Sequence, residues 1–552
     1  MSRTIRSLIL VVALGAVLAP AAHASPQQMS IMMDDDLLVY RSDDVAARAL
    51  AQMNKLGVDT VRVTVLWSVV AENARLSADD IERLGLKGKF KSAARRQARQ
   101  FKGKDPSTYP ERNWDRYDNL VRSAAKQGIR VYFNVTGPGP SWAHETPPKK
   151  QRSLRKTWKP KLGAFKEFAQ AVGRRYDGTY KDENADKSVL PRVSFWSLWN
   201  EPNQAGWLSP QWERINGRMV AASPMRYRKL HQLGYKGLRA SGHTTDRDII
   251  LMGETAPLGS SRKTEKSPMR PARFLRELGC FGSNNKKYTG RSAKIRDCND
   301  FEKRGSLKAS GFAHHPYTKD LPPTRTDRHP DSLTMANIDE LGTLLDRVSN
   351  KTKGGIPLGL KLFMTEFGYE TKPPDPFSGT SLIDQAKYNT VGEFLAWKNP
   401  RILAQAQFLL RDVPPVRKHK KNSKAYWFTY QSGLFHLSGA EKPAAKAYAL
   451  PFLAFDRTQI DPATGNPVFN FWGQLRLLPN DSVANATIQW RAKDGSSPWR
   501  AVGDPVAIDA QGYFEAVRVA PAPGPAEWRS AIVLPDGTTA AASPGTMGDT
   551  VR

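Results

Sequence analysis

The sequence predicts an α/β protein, a (β/α)8 TIM barrel followed by a small all-β, sandwich-like domain. Three observations lead there. Over residues 29–453, short β-branched or aromatic runs alternate with longer amphipathic segments, which is the pattern of repeated strand–helix units and a parallel sheet. Beyond residue 453 the helical period stops, and short alternating runs separated by turns such as Asp494-Gly495, Gln511-Gly512 and Asp536-Gly537 take over. The chain of 552 residues carries 14 Trp, 16 Tyr and 22 Phe among 40% hydrophobic residues. That is enough to bury two cores, and it excludes a wholly disordered or collagen-like protein.

The first 24 residues read as an export signal. Arg3 and Arg6 precede an apolar stretch from Leu8 to Leu18, and Ala22-His23-Ala24 supplies the small-x-small pattern of a cleavage site. The mature chain is then expected to start at Ser25. The apolar stretch is well short of the ~20 residues of a membrane span, and no later stretch is long and apolar enough, so no span is expected in the mature protein. Strands are predicted at residues 29–34, 60–66, 130–135, 193–200, 249–253, 311–314, 360–365 and 402–409. Helices are predicted at 43–56, 114–127, 162–176, 225–240, 271–278, 338–349 and 382–397, with 444–452 closing the set. Leu56-Gly57-Val58 and Gln127-Gly128-Ile129 are the glycine stops that helix-to-strand loops use. In such a barrel the functional groups stand at the C-terminal ends of the strands. Further strands are predicted at 468–478, 486–492, 499–508, 513–519 and 528–534, before a small-residue tail at 540–552 that is expected to be mobile. The division expected is 1–24 signal peptide, 25–453 barrel and 454–552 β domain, the last either a packing module for the barrel or a glycan- or wall-binding accessory.

Lys and Arg number 83 against 53 Asp and Glu, a net charge of +30, which favours polyanionic partners in general. Export turns that expectation toward carbohydrate, either an anionic glycan or a cell-wall polymer, and away from nucleic acid. Residues 87–104 hold eight Lys or Arg but only Phe90 and Phe101 among them, too few aromatics for a base-stacking surface. Four basic stretches, 87–104, 149–161, 262–296 and 417–424, fall in strand-to-helix insertions. They are expected to rim the catalytic face, unless they are a general basic bias indifferent to substrate. Cys280 and Cys298 are the two cysteines. In an exported protein they read as one disulfide pinning a long loop, worth about 3 kcal/mol in the chain-entropy model; two free thiols are the alternative. The sequence has no CxxC, HExxH or glycine-rich phosphate loop, so neither a metal nor a cofactor is expected.

At the predicted strand ends, the fourth strand closes in Trp199-Asn200-Glu201-Pro202-Asn203 and the seventh in Thr365-Glu366-Phe367-Gly368. Two glutamates from strands almost opposite in order can converge across the barrel top. Paired carboxylates flanking a bond are what glycoside hydrolysis requires. These two segments resemble the strand 4 and strand 7 motifs of clan A glycoside hydrolases, over most of residues 29–453. Val61-Arg62-Val63, His315-Pro316-Tyr317 and Tyr430-Gln431-Ser432-Gly433-Leu434 extend the resemblance, which is nearest to family 5 cellulase-like and family 39-like members. Asn134-Val135-Thr136 ends the third strand where many family 5 enzymes have a His.

The resemblance implies a retaining mechanism. Glu366 would be the nucleophile, kept ionised by Tyr317 and Arg62; Glu201 would be the acid/base; Asn200 would hold the sugar 2-hydroxyl. Arg62, His315 and Tyr317 would line the substrate site, and Trp142 and Trp427 would stack on sugar faces, as Trp67 and Trp207 also could. Glu254, at the end of the fifth strand, is a candidate sugar contact. One of Asp34, Asp35 and Asp36 is a candidate for hydroxyl binding. The function expected is a secreted glycosidase. The alternatives are a transglycosylase using the same residues and a non-catalytic glycan- or cell-wall-binding protein on the same scaffold.

Overall fold

The computed structural model describes residues 28–184, 187–352, 355–476, 484–533 and 537–542. The expected signal peptide at 1–24 and residues 543–552 of the expected tail lie outside the described residues. Eight strands form a closed parallel barrel: β1 (Met29–Met33), β2 (Thr60–Leu66), β3 (Arg130–Thr136), β4 (Phe195–Leu198), β5 (Ile249–Thr255), β6 (Gly311–His314), β7 (Lys361–Met364) and β8 (Ile402–Phe408). Each pairs with the next, and β8 pairs with β1. The strands read as nearly continuous apolar runs because both faces are covered. Val61, Val63 and Val65 of β2, with Val131, Phe133 and Val135 of β3, pack outward against the helices. Ile31, Tyr132, Phe195, Leu251, Ala313, Phe363, Ala404 and Ala406 form a separate cluster that fills the lumen. Gly311 makes room for it: a Cβ there would come within 2.4 Å of the Phe363 ring.

Register decides what else faces inward. Met33 lies opposite Arg62, Arg62 opposite Tyr132, and Tyr132 opposite Phe195. Arg62 therefore shares the inward parity of Tyr132 and Phe195 and enters the lumen beside them, its guanidinium over the Tyr132 ring.

Several insertions fold where the sequence offers weaker signals. The basic stretch after β2 contains the helix Gly88–Gln100, largely exposed with only Ala94 buried. After β4, Trp212–Ile215 and Arg218–Ala221 pair as a hairpin whose turn residues Asn216 and Gly217 both have positive φ, the conformation a tight two-residue hairpin needs. Cys280 and Cys298 are joined in a disulfide between β5 and β6, with Cα atoms 5.8 Å apart.

The C-terminal region forms two antiparallel sheets. One is Phe452–Ile460, Pro467–Gln474 and Tyr513–Val519; the other is centred on Asn485–Ala492 and includes Ala526–Val533 and Thr539–Ala542. Phe452, Phe471 and Phe514 of the first pack with Ile488, Trp490, Trp528 and Ile532 of the second. The start of Phe452–Ile460 does not read as a strand in the sequence because its residues are buried on both faces, Phe452 and Ala454 against the second sheet and Leu453 against the barrel. Ala540–Ala542, read from sequence as the start of the tail, is part of an edge strand paired with Ala526–Val533.

The β domain docks through Leu453, Trp472 and Tyr513, which pack on Val391, Phe394, Leu395 and Trp397 of the helix Leu382–Lys398. Arg476 adds an ion pair to Glu393 at 2.9 Å and donates to the Tyr448 carbonyl at 2.6 Å. Gly57, besides its positive φ, must be a glycine for this contact, since a Cβ would meet that of Arg476 at 2.4 Å. Truncating Trp472, buried in the interface, to alanine is expected to cost about 3–5 kcal/mol, read as a lowered midpoint in thermal or urea unfolding.

Candidate active site

The end of β4 carries the first glutamate in a backbone that most residues avoid. Trp199 has φ 74° and Glu201 φ 34°, each worth roughly 1–3 kcal/mol of strain for a non-glycine residue. The neighbouring strand holds this turn in place. Trp199 N donates to the Val135 carbonyl at 2.9 Å, Asn134 Nδ2 donates to the Trp199 carbonyl at 3.1 Å, and Asn200 N donates to Thr136 Oγ1 at 2.9 Å. Gly137 completes the seat, because a Cβ there would lie 2.6 Å from the Trp199 ring. The polar residues that end β3 are thus the clamp on β4.

β5 uses a bulge. Its register with β6 shifts between Gly253 and Thr255, Gly253 takes φ 107° and Glu254 φ 49°, and the extra residue turns Glu254 into the lumen. At the end of β7, Thr365 N donates to the His314 carbonyl at 3.1 Å, so that Glu366 follows at the barrel mouth. His315 N donates to the Thr255 carbonyl at 3.0 Å, placing the imidazole between the glutamates.

Arg62 is the centre of the assembly. Fully buried, it donates to Glu366 Oε1 at 3.0 Å, Asn200 Oδ1 at 2.8 Å and Glu254 Oε2 at 3.1 Å. Because a guanidinium only donates, this fixes the Asn200 amide with its NH2 turned away from Arg62. His315 Nδ1 lies 3.0 Å from Glu201 Oε1 and 3.5 Å from Glu366 Oε2, and Nε2 lies 2.7 Å from Glu254 Oε2. Tyr317 OH donates to Glu366 Oε2 at 3.1 Å. An oxygen of Glu201, a nitrogen of His315 and an oxygen of Glu366 all lie within 4.8 Å of one another. By residue type this trio could ligate a metal, but an imidazole with a carboxylate at each nitrogen is satisfied as a proton donor and offers no lone pair.

The charges reinforce one another. Burial would depress His315, yet Glu366, Glu201 and Glu254 raise it to about 10. Burial would raise Glu254, but Arg62 and His315 hold it well below the usual carboxylate range. For Glu366 burial wins and pushes it above its ordinary value, opposed by His315 and Arg62 and assisted by Glu201 and Glu254. His314 is depressed to about 3, chiefly by burial, and is a neutral structural ring bonded to the Leu333 carbonyl and Thr255 Oγ1.

Above this network opens a cleft of about 690 Å³, lined by Asn200, Glu201, Tyr317 and Glu366, by Tyr40, Trp207, Phe408 and Tyr430, and by Asp35, Asp36, Lys319, Asp320 and Glu370. Its wall is acidic. Burial, together with Asp375, Asp320 and Asp412, pushes Glu370 up to about 7. The four basic stretches, expected to rim the catalytic face, do not line this cleft, and Lys319 is the one basic residue along it. The helix Gly88–Gln100 in the first of these stretches is largely exposed.

Arg62, Asn200, Glu201, His315, Tyr317 and Glu366 therefore converge. Trp142 and Trp427 do not join them. Trp142 is buried, edge-on to Trp67 at 6.0 Å and to Phe101 at 5.4 Å with Arg75 over its ring. Trp427 packs on Tyr426 and donates Nε1 to the Lys421 carbonyl, outside the cleft lining. Trp67 is likewise core, whereas Trp207 lines the cleft. Glu254 is no sugar contact, being wholly buried beneath the pair. Asp34 is buried as a cap, accepting from Leu37 N and Arg411 N; Asp35 and Asp36 reach the cleft. Tyr132, which donates to Glu254, was not anticipated, although its inward parity beside Arg62 is the signal that finds it.

No protein-family model and no curated protein matches the chain. Among solved structures the chain is similar to a glucosidase from Croceicoccus marinus, at 10% identity and TM-score 0.45, covering 91% of this chain and 98% of that one. It is also similar to a monomeric β-xylosidase from Caulobacter crescentus CB15, at 12% identity and TM-score 0.44, covering 95% and 96%. A third is GH5_18 from Streptomyces cattleya in complex with GlcNAc, at 12% identity and TM-score 0.43, covering 77% and 79%. Among the described residues no helix is long and apolar enough to cross a membrane.

Replacing Asn134 by alanine removes its bonds to Ser197 Oγ and the Trp199 carbonyl. It is expected to lower unfolding stability by about 1–3 kcal/mol, measured by urea denaturation.

Proposed function

We propose that this protein is an exported, retaining glycoside hydrolase that cleaves O-glycosidic bonds of an oligosaccharide or polysaccharide by double displacement. The observation that carries the proposal is the approach of a Glu201 oxygen to within 4.8 Å of a Glu366 oxygen at the barrel mouth. Retention needs carboxyl groups about 5–5.5 Å apart, whereas inversion needs about 6.5–9.5 Å to admit a water.

Roles follow from surroundings. Glu366, with 11% of its side chain exposed, is tied on one oxygen by Arg62 and on the other by Tyr317. In this reading it is the nucleophile, its oxygen bonding to the anomeric carbon as the C–O bond to the leaving group breaks. Glu201 is more open, at 20%, on the side from which leaving group and water come. It gives its proton to the departing oxygen, then takes one from the water that displaces Glu366. The free Asn200 NH2 donates toward the sugar 2-hydroxyl, a bond that strengthens as charge develops at the ring.

The acidic wall favours an uncharged sugar at the point of cleavage over an anionic one. The basic surface off the cleft is then free to hold the protein on an anionic wall matrix. Export is supported by the leader pattern of residues 1–24 and by the Cys280–Cys298 disulfide, which suits an oxidising compartment.

Turnover of a panel of aryl α- and β-glycosides and of polysaccharides tests the proposal. Glu201→Ala is expected to lose about 10²–10⁴-fold in kcat on poor leaving groups. Glu366→Ala is expected to lose at least as much and to be rescued by azide, giving a glycosyl azide of inverted configuration while the wild type retains. No turnover on any substrate, with glycan binding unchanged in both variants, would favour a binding protein. With a neutral substrate, kcat/KM is expected to stay within about twofold between low and high salt, because the basic stretches do not line the cleft; a steep fall would restore electrostatic steering by them.

A further inference from the structure

The reaction proposed above uses two carboxylates, yet the site contains three. Glu254 lies beneath the pair with no exposed surface, so substrate does not reach it. Burying an ionised carboxylate costs several kcal/mol unless donors replace water, and here they do. Arg62 Nη2 at 3.1 Å, Thr365 Oγ1 at 2.7 Å and His315 Nε2 at 2.7 Å meet Oε2, and Tyr132 OH donates to Oε1. A bulge and two positive φ angles bring it there.

The consequence falls on His315. Its Nε2 faces Glu254, and its Nδ1 faces Glu201 at 3.0 Å and Glu366 at 3.5 Å. Neutral imidazole has one N–H and one acceptor nitrogen, while ionised carboxylates only accept. Ionised Glu254 requires a proton on Nε2, and a proton on Nδ1 lets the same ring face the charge of Glu366 at 3.5 Å while Glu201 keeps its own proton for the leaving group.

We propose that Glu254 is a positioning residue whose charge keeps His315 doubly protonated, so that a fixed Nδ1–H cation stands between Glu201 and Glu366 throughout the cycle. This rests on the glycosidase reading only for its catalytic consequence. In the resting enzyme the cation faces Glu366 at 3.5 Å and offsets its charge; once Glu366 is esterified, Glu201 at 3.0 Å is the carboxylate left facing Nδ1. One fixed charge thereby serves both half-reactions.

The groups around the ring agree. Glu201 comes from the end of β4, Glu254 from β5 and Glu366 from beyond β7, giving three carboxylates. Arg62 of β2 is the one cation among them, reached across Glu254 and Glu366. Tyr317 bonds Glu366 rather than the ring, and His314 is neutral. The rise of His315 to about 10 is in keeping with this balance. A histidine raised in the folded state contributes stability that is complete below its ordinary pKa of about 6.5 and is lost as pH climbs through the raised value.

The test is a pH titration of the purified protein labelled with ¹⁵N-histidine, followed by NMR without substrate, with the His315 signal assigned by its loss in His315→Asn. At about pH 8, where an ordinary histidine is neutral, wild-type His315 is expected to show two protonated nitrogens. In Glu254→Gln its titration is expected to fall by at least about one pH unit, and Glu254→Asp is expected to retain the wild-type titration. The alkaline limb of kcat/KM is expected to move with it in Glu254→Gln. A wild-type His315 that is singly protonated at pH 8, or a Glu254→Gln titration that does not move, overturns the proposal. Should Glu254→Gln fail to fold, the wild-type titration alone decides. Because the titration needs no turnover, a protein without glycosidase activity would defeat the functional reading and leave this one standing.

Discussion

A guanidinium sealed inside a barrel has to find acceptors there, and Arg62 finds them on three different strand ends. Glu366 follows β7, Asn200 follows β4 and Glu254 belongs to β5. Leaving such a charge unpaired would cost about 3–5 kcal/mol, so the three ends are drawn to a common centre. The apolar plug of Tyr132, Phe195, Leu251 and Phe363 beneath it keeps water from taking over that role. The geometry of the site is to this extent a solvation requirement of one side chain.

Attraction alone would not aim the carboxylates, and backbone strain supplies direction. Trp199, Glu201 and Glu254 all sit at positive φ, conformations that survive only where surrounding bonds over-determine them. For β4 those bonds come from Asn134, Val135 and Thr136 of β3; for β5 they come from the bulge and from the donors on Glu254.

The charged surface and the charged cleft are separate systems. The four basic stretches stay out of the cleft lining, whose wall bears Asp35, Asp36, Asp320 and Glu370 against Lys319 alone. Counting charges along the chain could not separate them, because a strand-to-helix insertion can fold over the barrel mouth or away from it with the same composition. The same ambiguity affected the tryptophans. Trp142 and Trp207 both stand in loops at the catalytic face, but Trp142 closes the aromatic core around Trp67 and Trp207 borders the cleft.

What the sequence by itself determined follows from periodicity and from residues tied to strand ends. The eight-strand barrel, the β domain, the cysteine pair and the convergence of Glu201 and Glu366 with Arg62, Asn200, His315 and Tyr317 were all legible there, because strand parity and chain order dictate which residues reach the barrel mouth. Phe452–Ile460 escaped that reading because burial of Phe452, Leu453 and Ala454 on both faces erases alternation where the strand begins. Tertiary structure alone decided that Glu254 is buried under the pair rather than offered to sugar, that His315 bridges carboxylates on both edges, and that the basic stretches leave the cleft acidic. Each of these depends on a bulge, a loop direction or a cross-barrel distance, and none of the three leaves a local pattern in the chain.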